Sequence, residues 1–240
     1  MSSQNPFERP EVLSRRGGPI KEPLSRERIV TEALRLLTKE GPEGMSLRRV
    51  ATALETGPAS LYAYVGDLSG LRALVLDRAL AAVDVGGARR RGWRERLKAV
   101  LLSYVTVLLR HPGLAQLAMP ASAVGPNAMR ILDTLLRLLQ EGGLDRATAA
   151  WAVDLLLLYG TAIAVEQSRG HEPLDGGGPI VRAVHGASAT EYPHVHAARA
   201  ELLTGEGPER FSWAVDVLVS GVLQCPVPGG RSGGRSKAKR

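Results

Sequence analysis

Between Ser46 and Leu71 the apolar residues run in two short stripes separated by a hard break, and a chain built this way must fold there as short helices joined by a tight turn. Leu47, Val50, Ala51 and Leu54 recur at i, i+3, i+4 and i+7, one face of a helix that Ser46 can cap. Glu55-Thr56-Gly57 interrupts the period. Pro58 then stands at a first helical position, where its missing N–H costs nothing and its φ is preset. Leu61 and Val65, four apart, are expected inward, leaving Ala59, Ser60, Ala63 and Tyr64 on the outer face. Asp67 can cap a further helix with inner positions Leu71, Leu74, Val75, Ala79 and Ala82, ending at Gly86-Gly87. Upstream, Ser25 caps a helix with the stripe Ile29, Val30, Ala33, Leu36 and Leu37, which Gly41-Pro42 ends.

The rest of the chain is also helical in pattern. Hydrophobic residues make up 44% of the 240, enough for a sizeable core, and aromatics only 4%, which with abundant Ala, Leu and Val favours helix over sheet. From Trp93, the residues Leu97, Val100, Leu101, Tyr104, Val105 and Leu108 form one stripe, stopped at His111-Pro112-Gly113. A short helix Leu114–Met119 closes at Pro120. Asn127 to Gln140 is apolar on more than one side and reads as a central helix. Asp145 caps a helix reaching about Arg169. Its run Ala147–Val165 is long enough for a membrane span, but Asp154 at mid-bilayer makes a buried helix the better reading. Gly170 to Gly186 reads as a loop, Tyr192 to Leu203 as a modest helix, and Pro208 to Gln224 as a last amphipathic helix. One cysteine, Cys225, excludes a disulfide framework, and no secretory signal is visible near Met1.

The net charge is +7, and its placement is uneven. Residues 25–84 balance eight basic against eight acidic groups, 85–110 hold seven against one, and 111–225 hold seven against twelve. The basic excess therefore sits in the connector Ala88–Gly92 and in the tail after 225, not in the double-helix motif itself. Arg15 and Arg16 could reach a minor groove or simply be solvated. Catalytic motifs are missing from the sequence, and no enzyme activity or cofactor is expected. His194 and His196 fall two apart, about 200° round a helix, a poor pair for one metal ion, so none is expected.

The segment Leu24–Val83 resembles the DNA-binding domain of TetR-family transcription regulators. The resemblance rests on L-S-R-E-R-I-V-T-E-A-L-R-L-L, E-G-P-E-G-M-S-L-R-R-V-A, P-A-S-L-Y-A-Y-V and L-R-A-L-V-L-D-R. It implies an all-α homodimer with a helix-turn-helix domain at 25–85 and a larger effector-binding and dimerisation domain at 92–225. A disordered arm at 1–24 and a disordered basic tail at 226–240 would flank them. It also implies a cytoplasmic, nucleoid-associated regulator, usually a repressor, that leaves a palindromic operator when a small effector binds. Arg48, Thr56, Ser60, Tyr62 and Tyr64 match positions that touch DNA, and guanidinium and hydroxyl groups suit base edges and phosphates.

Three departures stand out. Glu55 occupies a position usually held by Gly, Tyr64 replaces a frequent His or Phe, and Asp67-Leu68-Ser69-Gly70-Leu71 lacks the family's phosphate-binding lysine. Arg48, Arg49, the arm or the helix dipole at Asp67–Leu71 would have to compensate. Effector contacts are expected at Tyr104, Met119, Met129, Trp151 and Tyr159, around a cavity with no charged cluster, hence for a hydrophobic or amphipathic ligand. The resemblance implies dimer contacts on the helices Asp145–Arg169 and Pro208–Gln224, which would pair with their mates as a four-helix bundle, and the wide apolar faces with Trp151, Leu155, Leu158, Trp213, Leu218 and Val222 fit that role. The competing reading is a small-molecule-binding helical protein with a vestigial DNA motif.

Overall fold

The computed structural model describes residues 5–7, 23–86, 92–111, 113–119, 124–168 and 178–228. The expected arm residues Arg15 and Arg16, connector residues 88–91, loop residues 169–177 and tail residues 229–240 lie outside the described residues. Among the described residues the secondary structure is entirely helical.

Four helices carry the first quarter: α1 (Arg26–Glu40), α2 (Leu47–Ala53), α3 (Pro58–Val65) and α4 (Leu68–Leu80). Their starts follow from local chemistry. Ser25 Oγ accepts the Arg28 N–H (3.2 Å), Ser46 Oγ the Arg49 N–H (3.3 Å) and Asp67 Oδ1 the Gly70 N–H (2.7 Å). Each serine cap contributes about 1 kcal/mol by satisfying an amide that the helix leaves unpaired. Pro58 opens α3 at its first turn. A short 3-10 turn, Pro42–Gly44, joins α1 to α2.

The larger part contains α5 (Trp93–Leu109), α6 (Leu114–Ala118), α7 (Pro126–Glu141), α8 (Arg146–Ser168), α9 (Pro179–His185), α10 (Pro193–Ala197), α11 (Arg199–Leu202) and α12 (Gly207–Gln224). Asp145 caps α8, taking the Ala147 and Thr148 N–H groups at 2.9 and 3.1 Å and the Thr148 hydroxyl at 2.6 Å. These bonds hold its carboxyl below the usual range, the Thr148 hydroxyl foremost. Helix α8 is long and apolar enough to cross a membrane, but it packs on α5, α6, α7 and α12 and buries Ala149, Ala152, Val153, Leu156 and Ala164. Lys98 of α5 ties α12 through Asp216 (3.2 Å) and pairs with Glu95 (2.9 Å), and these partners, Glu95 first, raise its pKa. One apolar cluster runs without a break from Ile29 and Leu61 through Leu71 and Leu97 to Val219, so the two parts share a core.

Four expectations are corrected. Helix α4 ends at Leu80, short of Gly86, and Ala82 is exposed. The Gly170–Gly186 loop includes α9, which starts at Pro179 and buries Val181 and Val184. Tyr192–Leu203 splits into α10 and α11. Within the arm, Pro6 is buried and Phe7 packs against the core, reaching Gly125, where a Cβ would lie 2.5 Å from its ring.

Candidate functional site

Helix α3 presents Pro58, Ala59, Ser60, Tyr62 and Ala63 to solvent, with Tyr62 50% exposed. Arg48 lies exposed on α2, and Thr56 is half-buried in the intervening turn. Tyr64, expected on this face, is a core residue at 5% exposure. The physical reason is helical phase: residues 61, 64 and 65 stand at i, i+3 and i+4, so Tyr64 belongs to the stripe of Leu61 and Val65. Of the two tyrosines expected to touch DNA, only Tyr62 is on the outer face.

The turn between α2 and α3 explains one departure. The Glu55 N–H donates to Thr52 O (3.0 Å) and the Thr56 N–H to Ala51 O (2.9 Å), the two bonds of a Schellman closure. That closure requires a left-handed residue at its centre, and Glu55 has φ of 50°, the one described non-glycine residue with positive φ. Glycine is at home there because it has no Cβ to resist the conformation.

Two of the expected compensations for the missing lysine are already engaged. Arg49 pairs with Glu40 of α1. The first turn of α4 is closed by Asp67, whose carboxylate occupies part of the positive helix end. Arg48 remains as the exposed cation beside the α3 face. Gly70 lets α4 pass close to the end of α3, since a Cβ there would sit 2.1 Å from Val65 O.

The motif is bolted to the larger part by a reciprocal pair of caps. Helix α7 has no capping side chain of its own at Gly125. Asp77 of α4, 5% exposed, supplies it from across the interface, accepting the Ala128 N–H and the Asn127 Nδ2–H, both at 2.9 Å. In return Arg130 of α7 donates Nη2 to the carbonyls of Leu80, Ala81 and Val83 (3.2–3.3 Å), covering the end of α4. Gly125 is required at this seam, because a Cβ would meet Asp77 Cγ at 2.2 Å. A second tie joins α1 to the end of α5. Thr38 Oγ1 gives its hydrogen to Leu34 O (2.8 Å) and lies 2.8 Å from His111 Nδ1, so Nδ1 is the donor. Burial, and secondarily Arg110, push the His111 pKa down.

A cavity of about 1170 Å³ opens between the C-terminal end of α8, α11 and the start of α12. Of the five expected effector residues, Tyr159 lines it. Tyr104 is in the core, its hydroxyl 2.8 Å from Thr161 Oγ1, and burial raises its pKa. Met119, Met129 and Trp151 are exposed and are not among the residues that line this cavity. Most of its lining lies C-terminal to the helices expected to hold the effector. Glu166, Glu201, Glu206 and Glu209 border the cavity.

A family model described as "Tetracyclin repressor-like, C-terminal domain" matches residues 87–225. The chain belongs to the TetR family. The solved TetR-family regulator ActR of Streptomyces coelicolor is 32% identical, with 87% of this chain and 97% of that one aligned at a TM-score of 0.74. SCO7704 of the same organism, described as a transcription regulator, is 42% identical over 88% of this chain and all of its own, also at 0.74. ActR has also been solved with actinorhodin bound. Among curated proteins, the transcriptional repressor DrrR1 of Streptomyces coeruleorubidus is 37% identical over 63% of this chain, which spans 56% of that protein's length.

In this TetR-family chain the sequence reading missed Ile163, Glu166 and Phe211 as cavity residues and took Trp213 only for the dimer face. A usable signal was present in E-L-L-T-G-E-G-P-E-R-F, where glutamates cluster around Gly205 and Gly207 ahead of an amphipathic helix. His196, one of the spaced histidines, lies 3.0 Å from Ala187 O through Nδ1. No group of three possible metal-binding side chains occurs among the described residues.

Proposed function

We propose that this protein is a cytoplasmic, ligand-responsive transcription regulator, a repressor, that binds a palindromic operator as a homodimer. It is a binding protein with no catalytic step. The observation that carries this reading is the exposed α3 face beside Arg48, held rigidly by α4 to a cavity-bearing domain of the TetR family. Arg48, Thr56, Ser60 and Tyr62 are the DNA contacts; Tyr64 acts through packing. One such helix reads too few base pairs for selectivity, and a two-fold pair supplies two half-sites. The exposed apolar residues Trp151 (65%), Leu158 (55%) and Trp213 (68%), with Leu155, give α8 and α12 a face for the symmetry mate. Leu218 and Val222 are only half-buried and complete it. The repressor role follows DrrR1, and ligand response follows ActR with actinorhodin. The ligand acts by favouring a conformer whose paired α3 helices no longer match successive major grooves.

The test is fluorescence anisotropy of labelled DNA from upstream of the protein's own gene, with a salt titration and a scrambled duplex as reference. Selective, salt-dependent binding that Arg48→Ala with Tyr62→Ala abolishes is the expected result. Equal affinity for both duplexes would defeat the reading.

A further inference from the structure

We propose that Asn5-Pro6-Phe7 is an interdomain wedge and that Phe7 is a positioning residue for operator binding, fixing α4, and with it α3, against α7. This rests on the regulator reading above and adds a residue to its machinery. Three observations converge on the segment. The first is its own shape. Asn5 Oδ1 accepts the Phe7 N–H (3.1 Å), closing an Asx-turn, and Pro6 brings a preset φ to its centre. A turn closed by its own residues has less freedom to lose on docking than an open chain.

The second observation is where the turn sits. Pro6 is buried, and its Cβ lies 3.5 Å from the point where a Gly70 Cβ would stand, in the first turn of α4. The Phe7 ring reaches the other end of the seam. Its Cζ lies 2.5 Å from the Cβ position of Gly125, the residue before α7. Asp77 Cγ lies 2.2 Å from the same point, so the ring tip and the carboxylate are neighbours. Gly70 and Asp77 share one face of α4, two turns and about 10 Å apart. Two residues thus brace α4 along that face and touch the start of α7.

The third observation is what the ring covers. The Ala128 N–H donates to Asp77 Oδ1 at 2.9 Å, with Asp77 5% and Ala128 3% exposed, and this bond joins α4 to α7. A bond kept from water keeps its partners, because no solvent competes for the donor or the carboxylate. At the Pro6 end, Gly70 runs close to Val65 O, where α3 finishes. Ser60 is in the first turn of α3, so the wedge stands at the far end of that helix from the expected base contacts. Residues 5–7 therefore act on DNA binding through packing.

The experiment uses the full-length protein with its Phe7→Ala and Phe7→Leu variants. Amide hydrogen exchange without DNA, read by mass spectrometry, follows the first turn of α7, with the buried stretch of α5 around Leu101 as reference. Phe7→Ala should speed exchange of the α7 turn about tenfold and leave α5 unchanged, since only a local opening is eased. Anisotropy with the upstream duplex should show about fivefold weaker binding, because fewer molecules hold the paired α3 helices at the spacing a palindrome requires. Affinity for the scrambled duplex, set by phosphate contacts, should not change. Phe7→Leu, which keeps apolar bulk, should restore most of both losses. Unchanged exchange in Phe7→Ala overturns the proposal. Faster exchange with undiminished selective affinity overturns it too, as that marks plain packing. An equal fall on both duplexes with a shallower salt dependence also overturns it, as that marks a segment touching DNA. The exchange measurement needs no DNA, so the two readings fail separately. Wild-type protein that binds both duplexes equally sinks the regulator reading, while faster exchange in Phe7→Ala still upholds the wedge between α4 and α7. Wild-type selectivity with exchange unmoved by Phe7→Ala sinks the wedge alone.

Discussion

Two residues of the motif show how a single side chain is constrained by backbone and phase. Glu55 holds a left-handed conformation that closes α2. Replacing it by glycine removes the Cβ conflict at the cost of some unfolded-state entropy. Glu55→Gly should therefore stabilise the fold by about 0.5–1 kcal/mol in urea denaturation. Tyr62 and Tyr64 differ by half a helical turn, and their deletions should differ in kind. Tyr64→Ala should cost about 3–4 kcal/mol through the cavity it leaves in the core. Tyr62→Ala should cost less than about 1 kcal/mol, because half its surface is already in water, while lowering operator affinity. A matched stability loss in both would contradict the placement of these rings.

At the scale of elements, the α4–α7 seam decides how the motif is oriented. Asp77 caps a helix to which it is not joined, and Arg130 returns the favour at the other end. Asp77→Ala leaves a buried amide and the Asn127 side chain unsatisfied, a loss of about 1–3 kcal/mol in equilibrium unfolding. Direct ligand binding by that variant should be unchanged, but the ligand should release DNA less completely, since the rigid link is loosened. The α1–α5 tie adds a pH dependence. The folded His111 pKa lies below its ordinary value of 6.5, so the unfolded chain takes the proton first as pH falls. Stability contributed here is present above 6.5 and is lost as pH falls from there towards the folded pKa. His111→Gln should remove that part of the slope, read as the difference between the two proteins' denaturation midpoints from pH 7 to pH 5.

For the whole molecule, the exposed indoles of α8 and α12 make association the central expectation. Trp151→Glu with Leu158→Glu should yield a monomer in sedimentation velocity, with its helical circular dichroism retained and operator affinity lost. A dimer that persists would place the interface elsewhere on the surface.

How much of this was legible depended on range. Ser25, Ser46, Asp67 and Asp145 announced their helix starts, and Pro58 announced α3, because a cap or a preset φ is a property of a few neighbouring residues. The stripes of α1 and α5 were legible for the same reason, since period alone sets which side is inward. Phase could also have placed Tyr64 beside Leu61, and the misplacement came from reading a two-residue stripe where three residues stood. The all-α class and the helix-turn-helix motif were therefore determined by the sequence alone. The tertiary structure decided the rest: where α4 stops, which helix Asp77 caps, which faces of α6, α7 and α8 turn to water, and that the cavity is rimmed by glutamates. Those features join residues on different helices, as Asp77 joins Ala128 across 51 positions, and no local period or propensity records which distant surface a side chain will meet.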